Sequence, residues 1–181
     1  MLSCSGNLYF INRFNFFTMG NMEEYDKKEA IADVINDLVK VNNDRIEGYE
    51  KAIAEINDAD GDDLKPLFAG MIAESQQFKT ELEAIVTIND GDIAKGALFT
   101  GKLYRAWMGV KSILTAGGRR TILSSCETGE DAVKKVYEQA LDNKELPEGV
   151  MLLIEEQKSI LQESHDTIRA LRDKAEAEQK S

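Results

Sequence analysis

The chain has 181 residues, of which 43% are hydrophobic and 30% charged, enough for one domain whose core needs no disulfide. Its net charge of −11 at pH 7 argues against a surface that binds the nucleic-acid backbone or anionic membranes. No apolar run approaches the roughly 18 residues of a transmembrane helix. Cys4 and Cys126 form no metal or redox spacing, so we expect reduced thiols in a cytoplasmic protein.

The first residues of the chain differ from the rest. Residues 1–22 contain no Asp or Glu but four of the seven phenylalanines, and polar residues interrupt the apolar stretch that a signal peptide needs. We expect these residues to form a poorly ordered extension. An upstream start codon would explain the extension, with the native start at Met19 or Met22. The alternative is a degenerate secretion signal. The single domain is then expected at residues 23–175, followed by a frayed tail at 176–181.

The first half of the domain has the hydrophobic pattern of two long helices joined by a short turn. Apolar residues recur every three or four positions over residues 27–56, and Asn42 and Tyr49 share their stripe. The same period over residues 64–88 predicts a second helix. The short turn between them predicts antiparallel neighbours.

The second half is predicted to contain a long connection and two more long helices. The connection has a glycine-rich loop at 89–101 and a short helix at 102–116, which Trp107 is expected to fix to the bundle or, alternatively, to a second subunit. Long helices follow at 119–141 and 146–172. The pattern predicts an all-α fold, a ferritin-like four-helix bundle with a long crossover containing an additional short helix. An up-down-up-down five-helix arrangement is the alternative.

Two distant segments repeat one arrangement of polar and aromatic residues. Asn42 precedes Tyr49 by seven residues, Glu130 precedes Tyr137 by seven, and each Tyr opens a Tyr-Glu-x-Ala-aliphatic run. Seven residues are two helical turns, so each polar residue lies on the stripe of its Tyr. A carboxylate paired with a Tyr in a bundle core is typical of ferritin-like di-iron proteins, but Asn42 stands where a metal requires a carboxylate. The repeat therefore indicates an internally duplicated bundle, and it does not indicate an activity.

Several segments carry a family resemblance. Residues 98–111, with a Trp-Met pair, and 126–132 (Cys-Glu-Thr-Gly-Glu-Asp-Ala) resemble an uncharacterised bacterial family. Its members are described as ferritin-like four-helix-bundle proteins containing a domain of unknown function. Residues 47–49 and 165–173 are similar to it as well, so the resemblance covers about residues 30–173. It implies the fold and a family label, with no established activity to carry over.

A di-iron bundle requires a Glu on each of two helices and a Glu-x-x-His on each of the other two. At about 100° per residue, the helical positions leave Glu74, Glu130 and His165 as the candidate metal ligands. Gln77 stands where a His would follow Glu74, and Gln162 stands where a Glu would precede His165. Because these ligands are too few for a di-iron centre, we assign no catalytic or cofactor-binding residue; bound iron or manganese is the alternative.

Polar residues near the middle of the apolar stripes instead predict a buried polar layer. Hydrogen bonds among these residues would fix the register of the helices. His165, the only histidine, is expected to be structural, and Cys126 a small core residue. The predicted layer consists of Asn42, Tyr49, Ser75, Glu130, Tyr137, Gln157 and Ser164.

These features predict a non-enzymatic protein that acts as a homo-oligomer or binds a protein partner. The alternative is a metal-binding ferritin-like protein that handles iron, oxygen or peroxide. A degenerate di-iron oxidase-type site is the only enzymatic alternative.

Overall fold

The computed structural model describes residues 8–56, 61–98 and 118–180. Most of them lie in four helices, α1 (Leu8–Glu55), α2 (Leu64–Ile88), α3 (Gly118–Leu141) and α4 (Glu148–Gln179). These ranges contain no β-strand, which confirms the expectation of an all-α helical bundle. No helix in the same ranges combines the length and the apolar composition that a membrane span requires.

The outer ends of the helical domain differ from the sequence expectation. α1 begins at Leu8, well before the predicted start at Lys27. The assignment of residues 1–22 to a separate extension stays a prediction. α4 continues to Gln179, through the predicted frayed segment, because Ala175 is still buried in the core near its end.

Each helix packs against two others, and every neighbouring pair is antiparallel. The closest pairs are α1 with α2 and α3 with α4; α1 also packs on α3, and α2 touches α4 sparsely. On α1, Lys28 lies 3.4 Å from Asp90 just after α2, whereas the ring of Tyr49 lies 5.0 Å from that of Phe68 near the start of α2. These contacts place the end of α2 beside the middle of α1 and its start beside the C-terminal part of α1.

α2 and α3 begin at the same end of the bundle. Both terminal nitrogens of Arg119, at the start of α3, donate to the carboxylate of Asp63, which precedes α2, at 2.6 Å. Because α2 ends at the opposite end of the bundle, α2 and α3 run in the same direction.

The first part of the connection between α2 and α3 lies along α1. The amide of Asn36 donates to the carbonyl of Asp92 at 2.9 Å and accepts from the backbone N–H of Ala94 at 2.8 Å. Two turns further along α1, the carboxylate of Asp44 accepts from the backbone N–H of Leu98 at 3.0 Å. The segment thus runs towards the end where α3 begins. The predicted short helix at 102–116, with Trp107, lies outside the described residues.

Polar side chains divide the core of the bundle into two hydrophobic clusters. One cluster surrounds Leu38 and Leu82, and the other surrounds Phe68 and Ile168. Between them lies a layer of buried polar residues that all four helices contribute. Its fully buried members include Asn42, Arg45, Ser75, Glu130 and Gln157.

Candidate functional site

A charged side chain, Arg45 of α1, occupies the centre of the bundle. Arg45 follows Asn42 by three residues and precedes Tyr49 by four, so the three side chains share one face of the helix. All three are fully buried. A guanidinium without contact to water requires nearby counter-charges and hydrogen-bond acceptors, because desolvation of an unpaired charge is costly.

Two carboxylates from different helices bind Arg45. Its Nε donates to Oε1 of Glu130 on α3 at 2.7 Å, and its Nη1 donates to Oε1 of Glu74 on α2 at 2.7 Å. Nη1 also contacts Oγ of Ser75 at 2.8 Å and the carbonyl oxygen of Met71 at 3.2 Å. One cation therefore connects α1 with both of its neighbours.

The protonation states in this cluster follow from burial and charge. Burial alone would lower the pKa of Arg45, but the attraction of Glu130, then Tyr49 and Glu74, raises that pKa above its usual value. Tyr49 donates its O–H to the same oxygen of Glu130 that Arg45 binds, and Arg45 Cζ lies 5.4 Å from the centre of its ring. Burial, followed by the nearby Glu130, raises the pKa of Tyr49 well above its usual value, so the phenol is a hydrogen-bond donor.

A second chain of hydrogen bonds completes the layer. Asn42 Nδ2 donates to the hydroxyl of Tyr137 at 2.7 Å, and that hydroxyl donates to Oε1 of Gln157 at 2.9 Å. Gln157 Nε2 in turn donates to Oε2 of Glu81 at 2.8 Å. Burial raises the pKa of Tyr137, which keeps its proton for this role. The chain passes from α1 through α3 and α4 to α2, and so involves all four helices.

The cluster approaches solvent through a groove between α2 and α4, the most sparsely packed pair of helices. Glu74, which is 22% exposed, accepts a hydrogen bond from Ser164 Oγ at 3.1 Å within this groove. The groove has a volume of about 370 Å³, and its walls include Leu67, Met71 and Ile160. Glu74 therefore links the buried guanidinium to the surface.

His165 belongs to a different polar group, between α3 and α4. Its Nε2 lies 3.1 Å from Oδ1 of Asp131, and its Nδ1 lies 3.1 Å from Oδ1 of Asp166. Nearby on the same two helices, Arg172 pairs with Glu127. These contacts orient the imidazole towards surface carboxylates of both helices.

Cys126 lies in the hydrophobic cluster next to Tyr49, one helical turn before Glu130. It is fully buried and forms no disulfide. Burial, and then the nearby Glu130, raises the pKa of its thiol, so the nucleophilic thiolate is disfavoured. The other cysteine, Cys4, lies outside the described residues.

The predicted metal ligands are only partly brought together. Glu74 and Glu130 meet at Arg45, whereas His165 binds other carboxylates. Within the described ranges, no group of three or more His, Cys, Asp or Glu side chains has an arrangement that could hold a metal ion. A guanidinium between the two carboxylates would also repel a metal cation. The side chains of the described ranges therefore do not fit a dimetal centre.

The structure buries all seven residues of the predicted polar layer, but two members of the cluster escaped sequence reasoning. Arg45 lies on the stripe of Asn42 and Tyr49, yet the apolar periodicity assigned that place to Ile46, which is only half-buried. Arginine is rarely fully buried, so its position alone gave no signal for the core. Glu81 lies at the edge of the buried face of α2 and accepts a hydrogen bond from Gln157. The apolar periodicity of α2 does not predict this contact.

The chain is a helical-bundle protein in which four helices surround a buried cluster of one arginine and two carboxylates. The chain belongs to the family described as Domain of unknown function (DUF2383), whose model matches residues 30–143. The matched part includes Arg45, Glu74 and Glu130, and it ends before α4. No curated protein matches the chain.

Proposed function

We propose that this chain is a metal-free, ferritin-like bundle in which Arg45 takes the place of the metal ions of a di-iron protein. It acts as a non-enzymatic protein through self-association or binding of a protein partner. The observation that carries the proposal is the guanidinium of Arg45 between Glu74 and Glu130 at the centre of the bundle.

The charges at the centre support a bundle without metal. A di-iron site holds two cations with four carboxylates and two histidines. Here one guanidinium faces two carboxylates, and Asn42 stands at the position that would supply another ligand. The single positive charge of Arg45 offsets much of the negative charge that a metal would otherwise neutralise, so the cluster does not need a metal to be stable.

The path of the chain supports the ferritin-like part of the proposal. α2 and α3 run in the same direction, and residues 92–98 begin the return along α1. A four-helix bundle with one long connection between its second and third helices is the ferritin-like arrangement. We propose that the connection continues along the bundle and contains the short helix at 102–116.

The chemistry of the cluster favours a non-enzymatic role. Tyr49, Tyr137 and Cys126 are fully buried and protonated, so none of them is a ready nucleophile or base. The partly exposed carboxylates are already bound, Glu74 by Arg45 and Ser164 and Glu81 by Gln157.

Exposed apolar side chains at one end of the bundle support self-association or partner binding. Tyr25 on α1 and Ile88 at the end of α2 are 65% and 75% exposed, and Ile93 follows in the connection. The ion pair of Lys28 with Asp90 places these side chains at the same end. A contiguous exposed apolar patch is typical of interaction surfaces, and we propose that these side chains form one.

Elemental analysis of the protein purified from its own host tests the metal-free proposal. We expect iron and manganese well below one equivalent per chain and no ferroxidase activity, in the wild type and in Glu130→Ala alike. The matched control is Glu155→Ala, which removes an exposed carboxylate of α4. Stoichiometric metal that is lost in Glu130→Ala and retained in Glu155→Ala would overturn the proposal.

Multi-angle light scattering tests self-association. We expect a mass that is a multiple of 20.2 kDa, which falls towards the monomer when Tyr25 and Ile88 are both replaced by Ser. A strictly monomeric wild type that also captures no protein from a lysate of its host would count against a binding role.

A metal-dependent protein that handles iron, oxygen or peroxide is the second candidate function. The meeting of Glu74 and Glu130 at one point beside Tyr49 favours it, because these groups would supply oxygen ligands if Arg45 moved away. The variant Arg45→Gln separates the two functions. If Arg45 substitutes for a metal, only the variant gains affinity for iron; if the protein uses metal, the wild type already binds it.

A further inference from the structure

Three buried polar atoms of the central cluster have no hydrogen-bond partner in the part of the chain that the structure describes. They are Oδ1 of Asn42, Nη2 of Arg45 and Oε2 of Glu130. The residues that carry them are fully buried, and their other polar atoms are hydrogen-bonded. Unpaired polar atoms are rare in protein cores, so three of them in one cluster require an explanation.

Two of these atoms belong to the ion pair of Arg45 with Glu130. Nε and Nη2 lie on the same edge of a guanidinium, and the Nε of Arg45 donates to Oε1 of Glu130 at 2.7 Å. The unpaired Nη2 of Arg45 therefore lies on the edge of the guanidinium that faces Glu130, whose second oxygen is also unpaired. Each of the two atoms is joined to the Nε–Oε1 hydrogen bond through one planar group, which limits the distance between them.

The amide of Asn42 supplies the third atom. Its Nδ2 lies 2.9 Å from the carbonyl oxygen of Leu38, which can only accept, so the orientation of the amide is fixed. The same Nδ2 donates to the hydroxyl of Tyr137. Oδ1 is therefore the acceptor of this amide that has no partner, and Arg45 follows Asn42 one turn further along α1.

We propose that the cluster contains a binding site for one internal water molecule. The three atoms comprise two acceptors, on Asn42 and Glu130, and one donor, on Arg45. Water has two O–H donors and lone pairs that accept, so one molecule satisfies all three atoms at once. Internal waters typically make about three hydrogen bonds to buried groups that otherwise lack partners. The water would join the Arg45 and Asn42 hydrogen-bond groups into one network.

The groove between α2 and α4 is the place where solvent comes nearest to the cluster through Glu74. Glu74 lies in the groove and binds Nη1 of Arg45, the nitrogen next to the unpaired Nη2. The groove is polar at this point, because Ser164 also donates to Glu74. Solvent in the groove is therefore separated from the guanidinium by the carboxylate of Glu74.

A crystal structure of the full chain at a resolution that reveals ordered water tests the proposal. We expect one water oxygen within about 3.2 Å of all three atoms. A direct hydrogen bond between Arg45 Nη2 and Glu130 Oε2, a side chain from residues 99–117 in this place, or no water density would overturn the proposal.

Oxygen-17 magnetic relaxation dispersion provides a second readout in solution. The wild type is expected to hold one more long-lived water than Asn42→Leu, which removes one acceptor and adds apolar volume. The control Ser75→Ala removes a contact of Arg45 Nη1 and touches none of the three atoms, so it should retain the water. Equal numbers of long-lived waters in all three proteins would contradict the site.

Discussion

Arg45 is the residue on which the interior of the bundle depends. Its positive charge binds Glu130 on one side and Glu74 on the other, and Tyr49 packs against the guanidinium. Removing one partner of a buried ion pair leaves an uncompensated charge, which costs more than the pair itself contributes. Any substitution in this group therefore acts on Arg45 and both carboxylates together.

The buried phenols and thiol predict a loss of stability at high pH. Burial raises the pKa values of Tyr49, Tyr137 and Cys126 above the ordinary values of 10.0 and 9.0 that apply in the unfolded chain. Their contribution to stability is therefore fully present below about pH 9 and is lost as the pH rises further. Each group lowers the free energy of unfolding by up to about 1.4 kcal/mol per pH unit.

Urea unfolding at pH values between 7 and 11 measures this loss. Tyr137→Phe should reduce the slope between pH 10 and 11 by about 1 kcal/mol per unit relative to the wild type, because the unfolded phenol is half ionised at pH 10. In Tyr25→Phe, which alters an exposed side chain, the slope should stay unchanged. A free energy of unfolding that is constant to pH 11 would show that these groups ionise freely in the folded protein.

At the scale of the helices, α1 and α2 form the most closely packed pair. Two glycines of this region differ in the room that they leave for a side chain. Gly91, in the turn after α2, leaves no room for a side chain, because a Cβ there would lie 2.6 Å from that of Ala32 on α1. Gly70, in the middle of α2, has no atom within 4 Å of the place of a Cβ. Gly91 therefore permits the close approach of the helices, whereas Gly70 lines the open groove between α2 and α4.

Alanine substitutions at the two glycines should change stability in opposite directions. Gly70→Ala should raise the free energy of unfolding by about 0.5–1 kcal/mol, because alanine favours the helix and meets no obstacle. Gly91→Ala should lower it by about 1–3 kcal/mol through overpacking against Ala32. Thermal and urea unfolding measure both effects. A stabilising Gly91→Ala would contradict the close packing of this turn.

The helices themselves were predictable, because a period of three to four apolar residues and short polar turns mark them directly. The seven residues of the predicted polar layer, all buried in the structure, were chosen because polar groups near the middle of the apolar stripes stand out in the sequence. Arg45 was missed, because an arginine on an apolar stripe is ordinarily assigned to solvent. Only the carboxylates of other helices explain its burial. The course of residues 92–98 along α1 depends on Asn36 and Asp44, whose partners are too distant in sequence to be inferred.

At the scale of the whole molecule, the polar layer separates two hydrophobic clusters and involves every helix. Hydrophobic contacts alone tolerate shifts of one helix along another, whereas the hydrogen bonds of Arg45 and Tyr137 are met in one alignment only. We therefore expect the layer to determine the register of the bundle, with the two clusters supplying most of the stability.

A double-mutant cycle on Arg45 and Glu130, measured by urea unfolding, tests most directly whether this ion pair holds the centre of the bundle. Arg45→Met should cost about 3–5 kcal/mol, because it leaves Glu130 buried without its counter-charge. The double variant Arg45→Met/Glu130→Gln should be less destabilised than the sum of the single variants by about 1.5–3 kcal/mol. The exposed pair of Lys51 and Glu47 is the control, with an expected coupling below about 1 kcal/mol. Effects of Arg45 and Glu130 that add within about 0.5 kcal/mol would contradict the account.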